Sequence, residues 1–212
     1  MDHISNHMQT IKLAPEKQLI QQGAEARLYQ LELDGKMAVE KFRFEKKYRH
    51  PTIDLQTRKR RTKSEARCLQ AASKNGISCP QIYQQTDFSI FIEFLNGQTL
   101  TELYTQGSLT PELLVECGNI IKSLHKIQII HNDLTTSNFI YSNNKLYVID
   151  FGLAVQGQTS VEVRAVDLYV LEKSILALTG DSSLFSHILA GYQADQQLQD
   201  RLDEVRKRGR KK

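Results

Sequence analysis

The segment His131-Asn132-Asp133-Leu134-Thr135-Thr136-Ser137-Asn138, followed twelve residues later by Asp150-Phe151-Gly152, constrains this chain more than any other feature. An Asp five residues before an Asn on one loop lets the carboxylate meet an attacking hydroxyl while the amide faces a metal ion. A second Asp, entering from a separate strand, completes such a site. Either motif alone is weak. Both together, in this order and at this spacing, leave little room for an ordinary polar loop and turn.

The surroundings fit that reading. A helix-like stretch over 113–130 leads into the loop, and two apolar runs, 138–141 and 145–149, are joined by Ser142-Asn143-Asn144, the pattern of a hairpin that delivers Asp150. Upstream, a strand pair is expected over 18–33, closed by Asp34-Gly35, with a third strand over 36–43 and two more over 81–85 and 89–95. Helices are expected over 57–74, 163–178 and 183–206, with Thr110 capping the long helix before the catalytic loop and Pro111 at its first position. The fold class is α+β: a compact two-lobed protein-kinase-like fold with a reduced C-terminal lobe. Residues 1–95 form the N-terminal lobe, 96–204 the mainly helical lobe, and 205–212 a basic tail. Sixty residues follow Gly152 without an Ala-Pro-Glu motif, so the platform on which kinases dock peptides is expected to be missing.

Composition excludes several classes. No apolar run reaches the length of a membrane span, and the polar start lacks the apolar core of a secretion signal, so an intracellular protein is expected. Cys68, Cys79 and Cys117 have no ligand spacing and read as reduced packing residues. The net charge of +4 hides a polarity: residues 41–67 together with 205–212 carry +14, and the rest of the chain carries −10. That separation suggests a polyanionic partner, with RNA ahead of an acidic protein surface.

Around the central motif, Gln22-Gly23-Ala24-Glu25-Ala26, with Leu28 after it, stands where a glycine-rich phosphate loop belongs, yet it has a single glycine. Ala38-Val39-Glu40-Lys41 reads as the strand whose lysine neutralises nucleotide phosphates, and Glu65, mid-helix, is the candidate to hold Lys41 by an ion pair. Ile92, Glu93 and Leu95 would line the adenine end, Ile92 at the back wall and the backbone of 93–95 as the hinge. Asp133 is then the catalytic residue, and Asn138 and Asp150 hold the metal. Two departures from standard kinases stand out. Asn132 replaces the arginine that couples to a phosphorylated activation segment, so activation-loop phosphorylation is not expected to act as a switch; Thr135 replaces the lysine two residues after the catalytic Asp and removes a cation from the transferring phosphate, so peptide phosphorylation is expected to be slow or secondary to ATP hydrolysis.

Several segments together resemble one family, the small atypical serine/threonine kinases of the p53-related protein kinase type that belong to the KEOPS (EKC) complex. They are Gln22 to Ala26, Lys46-Lys47-Tyr48-Arg49-His50-Pro51, Arg61-Thr62 with Glu65-Ala66, His131 to Asn138, Ala165 to Glu172, and the ending from Arg206. The resemblance implies ATP and Mg2+ as cofactors, with Asp133 accepting the proton and Asp167 bracing the catalytic loop. It implies as partners the tRNA threonylcarbamoyl-transferring metalloprotein, the other KEOPS subunits and tRNA, and ATP hydrolysis in support of adenosine modification beside the anticodon. Arg206, Lys207, Arg208, Arg210, Lys211 and Lys212 would reach tRNA phosphates. The location it implies is cytoplasmic, and nuclear as well in a eukaryote. Asn132, where many members have glycine, and Glu40, where an apolar residue is commoner, depart from the family pattern. Two other readings stay open at this level: a tRNA-binding scaffold pseudokinase whose nucleotide site is dispensable, and a RIO-like or small-molecule phosphotransferase.

Overall fold

The computed structural model describes residues 16–157 and 159–209. An antiparallel sheet is built from β1 (Lys17–Gln22), β2 (Arg27–Leu33), β3 (Lys36–Phe42), β4 (Ile82–Gln85) and β5 (Ser89–Glu93), in the order β1-β2-β3-β5-β4. The central place of β3 sets Lys41 opposite Leu28 on one side and Ile90 on the other. Because side chains alternate across the pleat, Glu40 is separated from Lys41. There it accepts hydrogen bonds from the Ser89 hydroxyl (2.7 Å) and Lys17 (2.8 Å), so an acid on a buried strand is fully partnered.

Helix α1 (Pro51–Lys74) crosses the sheet. It begins earlier than the expected 57. Pro51 presets the first helical turn while His50 stays extended at ψ 132°, as a residue before proline must. The missed turn shows no apolar periodicity because its one buried residue is charged: Asp54, which accepts from Arg58 at 2.6 Å.

The rest is mainly helical. β6 (Gln98–Thr99) leads into α2 (Leu100–Thr105), started by a reciprocal Thr99–Glu102 capping box. α3 (Pro111–Lys126) begins on its Thr110 cap but stops short of the expected 130. Gln128 turns to φ +60°, and Ile129–Ile130 become β7, paired with β10 (Val155–Gln156). The hairpin β8 (Phe139–Ser142) and β9 (Lys145–Val148) completes a small sheet with β6. α4 (Val161–Thr179), α5 (Phe185–Tyr192) and α6 (Gln196–Gly209) close the chain.

The single helix expected over 183–206 is therefore two. Gln193 at φ +55° ends α5, and the Asp195 carboxylate accepts from the Leu198 amide at 2.8 Å to start α6. The segment expected to be a separate tail from 205 is helical as far as Gly209. Leu198, Leu202 and Val205 bury one stripe of α6, and Arg206 pairs with Glu172 at 2.7 Å. Arg210, Lys211 and Lys212 lie outside the described residues.

Two glycines let α3 and α5 meet backbone to backbone. A Cβ on Gly118 would stand 2.1 Å from the Ile188 oxygen, and one on Gly191 would stand 2.0 Å from the Val115 oxygen. That close crossing brings Tyr192 against His125 beneath the catalytic loop. The three cysteines are free and buried, and burial pushes the Cys79 thiol up to about 12, consistent with packing roles. Among the described residues no helix is long and apolar enough to cross a membrane.

Candidate active site

The catalytic loop is fixed from below. Asp167, 1% exposed on α4, accepts the backbone amides of His131 (3.0 Å) and Asn132 (2.8 Å) and the Nε2 proton of His125 (3.1 Å). A carboxylate only accepts, so His125 carries its proton on Nε2 and takes the Tyr192 hydroxyl on Nδ1 at 2.9 Å. His131 is fully buried, lies 5.3 Å from the Phe151 ring and donates from Nε2 to the Ile149 carbonyl at 3.0 Å. It ties the catalytic loop to the strand end that carries Asp150.

Asn132 adopts φ +62°. Only glycine, asparagine and aspartate take that conformation at little cost, which accounts for an asparagine here. Its amide also donates to the Leu153 carbonyl at 3.1 Å. The activation segment is thus held by a neutral hydrogen bond where an arginine would await a phosphate.

Above the loop, Asn138 donates through its amide nitrogen to the Asp133 carbonyl (2.8 Å) and carboxylate (3.3 Å). The amide oxygen of Asn138, which only accepts, could then face a metal ion. Asp150, at φ +59°, is a non-glycine residue in the left-handed region, a strain typical of functional positions. Its carboxylate accepts from the Gly152 amide (3.0 Å) and from Lys41 (2.6 Å).

Lys41 also meets Glu65 at 2.8 Å. Burial pulls Lys41 down, but Glu65 and Asp150 more than offset it and hold the amine above its ordinary range. Burial likewise pushes Asp150 up, and Lys41 with the Gly152 amide brings it below the usual carboxylate value. Both groups stay charged at neutral pH.

These residues border two continuous hollows. A cavity of about 410 Å³ runs between Ile92, Glu93, Leu95, Asn138 and Glu65, and an opening of about 270 Å³ is lined by Gly23, Ala24, Glu25, Ala26 and Asp133, with Gln21, Leu28, Lys41 and Asp150 common to both. Gln22 is the exception. Its side chain accepts from Arg27 at 3.0 Å, and Gln21 lines the opening in its place. At the hinge, the Glu93 and Phe94 amides are already given to Gln81 (2.8 Å) and Met37 (3.3 Å).

A family model described as RIO domain matches residues 32–167, from β2 to the bracing Asp167. The EKC/KEOPS complex subunit bud32 of Dictyostelium discoideum is 39% identical over 210 residues, covering 92% of this chain and 83% of that protein. The chain belongs to the Bud32 family of RIO-type, kinase-like proteins. A Methanospirillum hungatei protein described as a probable bifunctional tRNA threonylcarbamoyladenosine biosynthesis protein is 38% identical over 179 residues, covering 82% of this chain and 33% of that one. The solved Rio2 kinase–ADP/Mg2+–phosphoaspartate complex from Chaetomium thermophilum has the same fold, with a TM-score of 0.63 at 14% identity over 94% of this chain and 72% of that one. The RIO-like and KEOPS readings of the sequence therefore coincide, because one chain carries both signatures.

At this Bud32-family site the sequence reading missed Arg43 and the partner of Arg61. Arg43, 4% exposed, meets the second oxygen of Glu65 at 2.5 Å, so one buried carboxylate spans two cations. Arg61 reaches Glu25 of the phosphate loop at 2.6 Å, Arg49 joins at 3.4 Å, and Lys46 donates to the Ala24 carbonyl. Burial pushes Glu25 up, yet Arg61, Arg49 and Lys46 together hold its carboxyl below the usual range. A loop with one glycine is held in place from outside by three cations. Only the recurrence of basic residues at 46, 49 and 61 hinted at this, and nothing in the sequence paired them with Glu25.

Proposed function

We propose that the chain is the ATP-using subunit of a KEOPS assembly, hydrolysing Mg-ATP to support threonylcarbamoylation of tRNA adenosine beside the anticodon. The observation that carries this reading is that Lys41, Glu65, Asp150, Asn138 and Asp133 line two adjoining hollows with Lys41 and Asp150 at their junction. The names of the bud32 and threonylcarbamoyladenosine relatives support the setting, and so does the charge polarity.

In this reading the adenine end lies along Ile92 and Leu95, with the Leu95 amide as the hinge donor. Lys41, positioned by Glu65, neutralises the inner phosphates, and the amides of 23–26 face the outer ones. The oxygen donors of Asp150 and Asn138 suit magnesium, which takes few protein ligands and shares the rest with phosphates and water. A magnesium ion held there would neutralise charge on the phosphate chain. Asp133 accepts the proton of the attacking oxygen, a water in hydrolysis or a serine or threonine hydroxyl in transfer, as the bond to the terminal phosphorus forms and the bond to ADP breaks. The residues of 1–95 supply the phosphate side and those from 96 onward the base, the metal site and their bracing. The chain works in the cytoplasm, and in the nucleus where the cell has one.

The test is phosphate release from Mg-ATP by the chain bound to its KEOPS metalloprotein partner, with and without tRNA, with Asp150→Ala as control. Release stimulated by tRNA and lost in the control is the expected result. Release equal to the control in a verified complex sinks the reading.

A further inference from the structure

Helix α1 sorts its charges by side. The acids Asp54 and Glu65 are buried, at 1% and 2% exposure. Every cation turned toward the rest of the protein is paired: Arg58 with Asp54, Lys59 with Asp87, and Arg61 with Glu25, each at 2.6 Å. Arg60, Lys63, Arg67 and Lys74 are different. They are exposed, they follow one another at steps of three, four and seven residues, and among the described residues none meets an acid. Such steps place them on one face of a helix, where the exposed Gln56 and Gln70 add amides but no negative charge. Lys74 also suits the C-terminal end of a helix dipole. Arg60, Lys63 and Arg67 have no such internal reason, and neighbouring like charges repel.

Among the described residues, the tail cations Arg206, Lys207 and Arg208 do not offer the same. Arg206 is held by Glu172 and Asp203, and Arg208 by Glu162. Lys207 forms no ion pair among the described residues, where it is a single cation and not a row.

We propose that the outer face of α1 is a docking surface for the RNA sugar-phosphate backbone, with Arg60, Lys63 and Arg67 taking successive phosphates and Lys74 extending the row. At about 1.5 Å per residue the row from Arg60 to Lys74 is roughly 21 Å long, enough for several nucleotides. Charge complementarity favours RNA. Between Arg60 and Lys74 the face exposes no large apolar side chain of the kind a protein partner buries, and beside it an open depression, walled in part by Leu69, Ala71 and Ile82, presents the side-chain donors of Arg67, Gln70, Ser73, Lys74 and Gln81, suited to phosphate and ribose oxygens. This surface rests on the proposed function only in taking tRNA as the RNA. The same helix carries Glu65 and Arg61 on its inner side, so bound RNA lies one rigid element away from Lys41.

The experiment compares the wild-type chain with an Arg60→Gln, Lys63→Gln, Arg67→Gln variant, free and assembled with its KEOPS partners. Affinity for an unmodified tRNA transcript is measured across a salt series. All three sites are exposed, so an unchanged melting temperature and nucleotide affinity verify the fold. The expected result is at least a tenfold weaker affinity near physiological salt, a salt slope smaller by about two to three, and unchanged basal ATP turnover. Equal affinity and slope in the two chains overturn the proposal, and so does a wild-type chain that binds no tRNA in either form. Loss of assembly with unchanged tRNA affinity of the free chain also overturns it, by identifying an acidic protein as the occupant. A reduced slope without any ATP turnover sinks the ATPase reading and leaves the surface standing.

Discussion

The catalytic loop and the phosphate loop border one cavity but are anchored in opposite ways. The first hangs on buried hydrogen bonds to Asp167, whose side chain is fully inaccessible. The second is held by ion pairs to Glu25 and Arg61, whose side chains are 43% and 32% exposed. Buried bonds of the first kind fix one geometry, since a missing partner leaves polar groups that water cannot reach. Partly exposed ion pairs are weak and screened by salt, which suits a loop that admits and releases a nucleotide. The cations fix the course of a loop that has a single glycine, and in the proposed function they would hold its amides toward the phosphates despite the Cβ atoms of Ala24 and Ala26.

The sharpest way to break this contrast is Asp167→Ala. It strands two backbone amides and His125, at a cost of about 3–5 kcal/mol. For a chain of this size that lowers the melting temperature by roughly 6–20 °C, with phosphate release lost. A shift below about 3 °C on calorimetry contradicts the bracing role.

Next come Glu25→Gln and Arg61→Gln. Each is expected to weaken nucleotide binding by about 3–10-fold with a stability change under about 1 kcal/mol. The double variant should be hardly worse than either single one, because both break the same pair. Titration calorimetry showing fully additive losses means the two residues act separately.

Hydrogen exchange compares the loops directly. Raising salt from about 0.05 to 0.5 M should speed exchange at the Ala24 and Glu25 amides and leave His131 and Asn132 unchanged. pH is expected to act differently from salt. Glu25 has a folded value below its ordinary 4.5, so its contribution is present above that ordinary value and is lost only as pH falls through the lower folded one. Between about pH 5 and 9 the latch should hold. Loosening near neutrality points to a different anchor.

Asn132 tests the contrast through its backbone conformation. Asn132→Gly keeps the left-handed backbone and loses one hydrogen bond, at about 0.5–1.5 kcal/mol. Asn132→Val, forced to φ +62°, adds about 1–2 kcal/mol of strain. Denaturant midpoints that rank valine as the milder change remove the backbone explanation.

The sequence made most of the lining of the candidate site legible because each part is a local pattern. Asp133 and Asn138 share one loop, Asp150 ends a hairpin, and Lys41 alternates on a strand. What it hid is long-range or conformational. Arg43 and Arg61 matter through carboxylates 22 and 36 residues away, and charge runs do not announce their partners. Gln128 and Gln193 end helices through positive φ without the glycine that usually marks such a stop, so apolar periodicity carried the expected helices past their true ends. Arg206 looked like part of a free tail until α6 was seen to lay it against Glu172.

The central claim is that the chemistry of this site, and not only its shape, serves tRNA modification. The direct measurement is the rate of tRNA threonylcarbamoylation by a KEOPS assembly reconstituted with the Asp133→Ala, Asp150→Ala double variant, after verified assembly. A loss of about 10²-fold or more in multiple-turnover rate, the scale of a missing general base, is the expected result. Modification at the wild-type rate contradicts the account and makes the chain a scaffold.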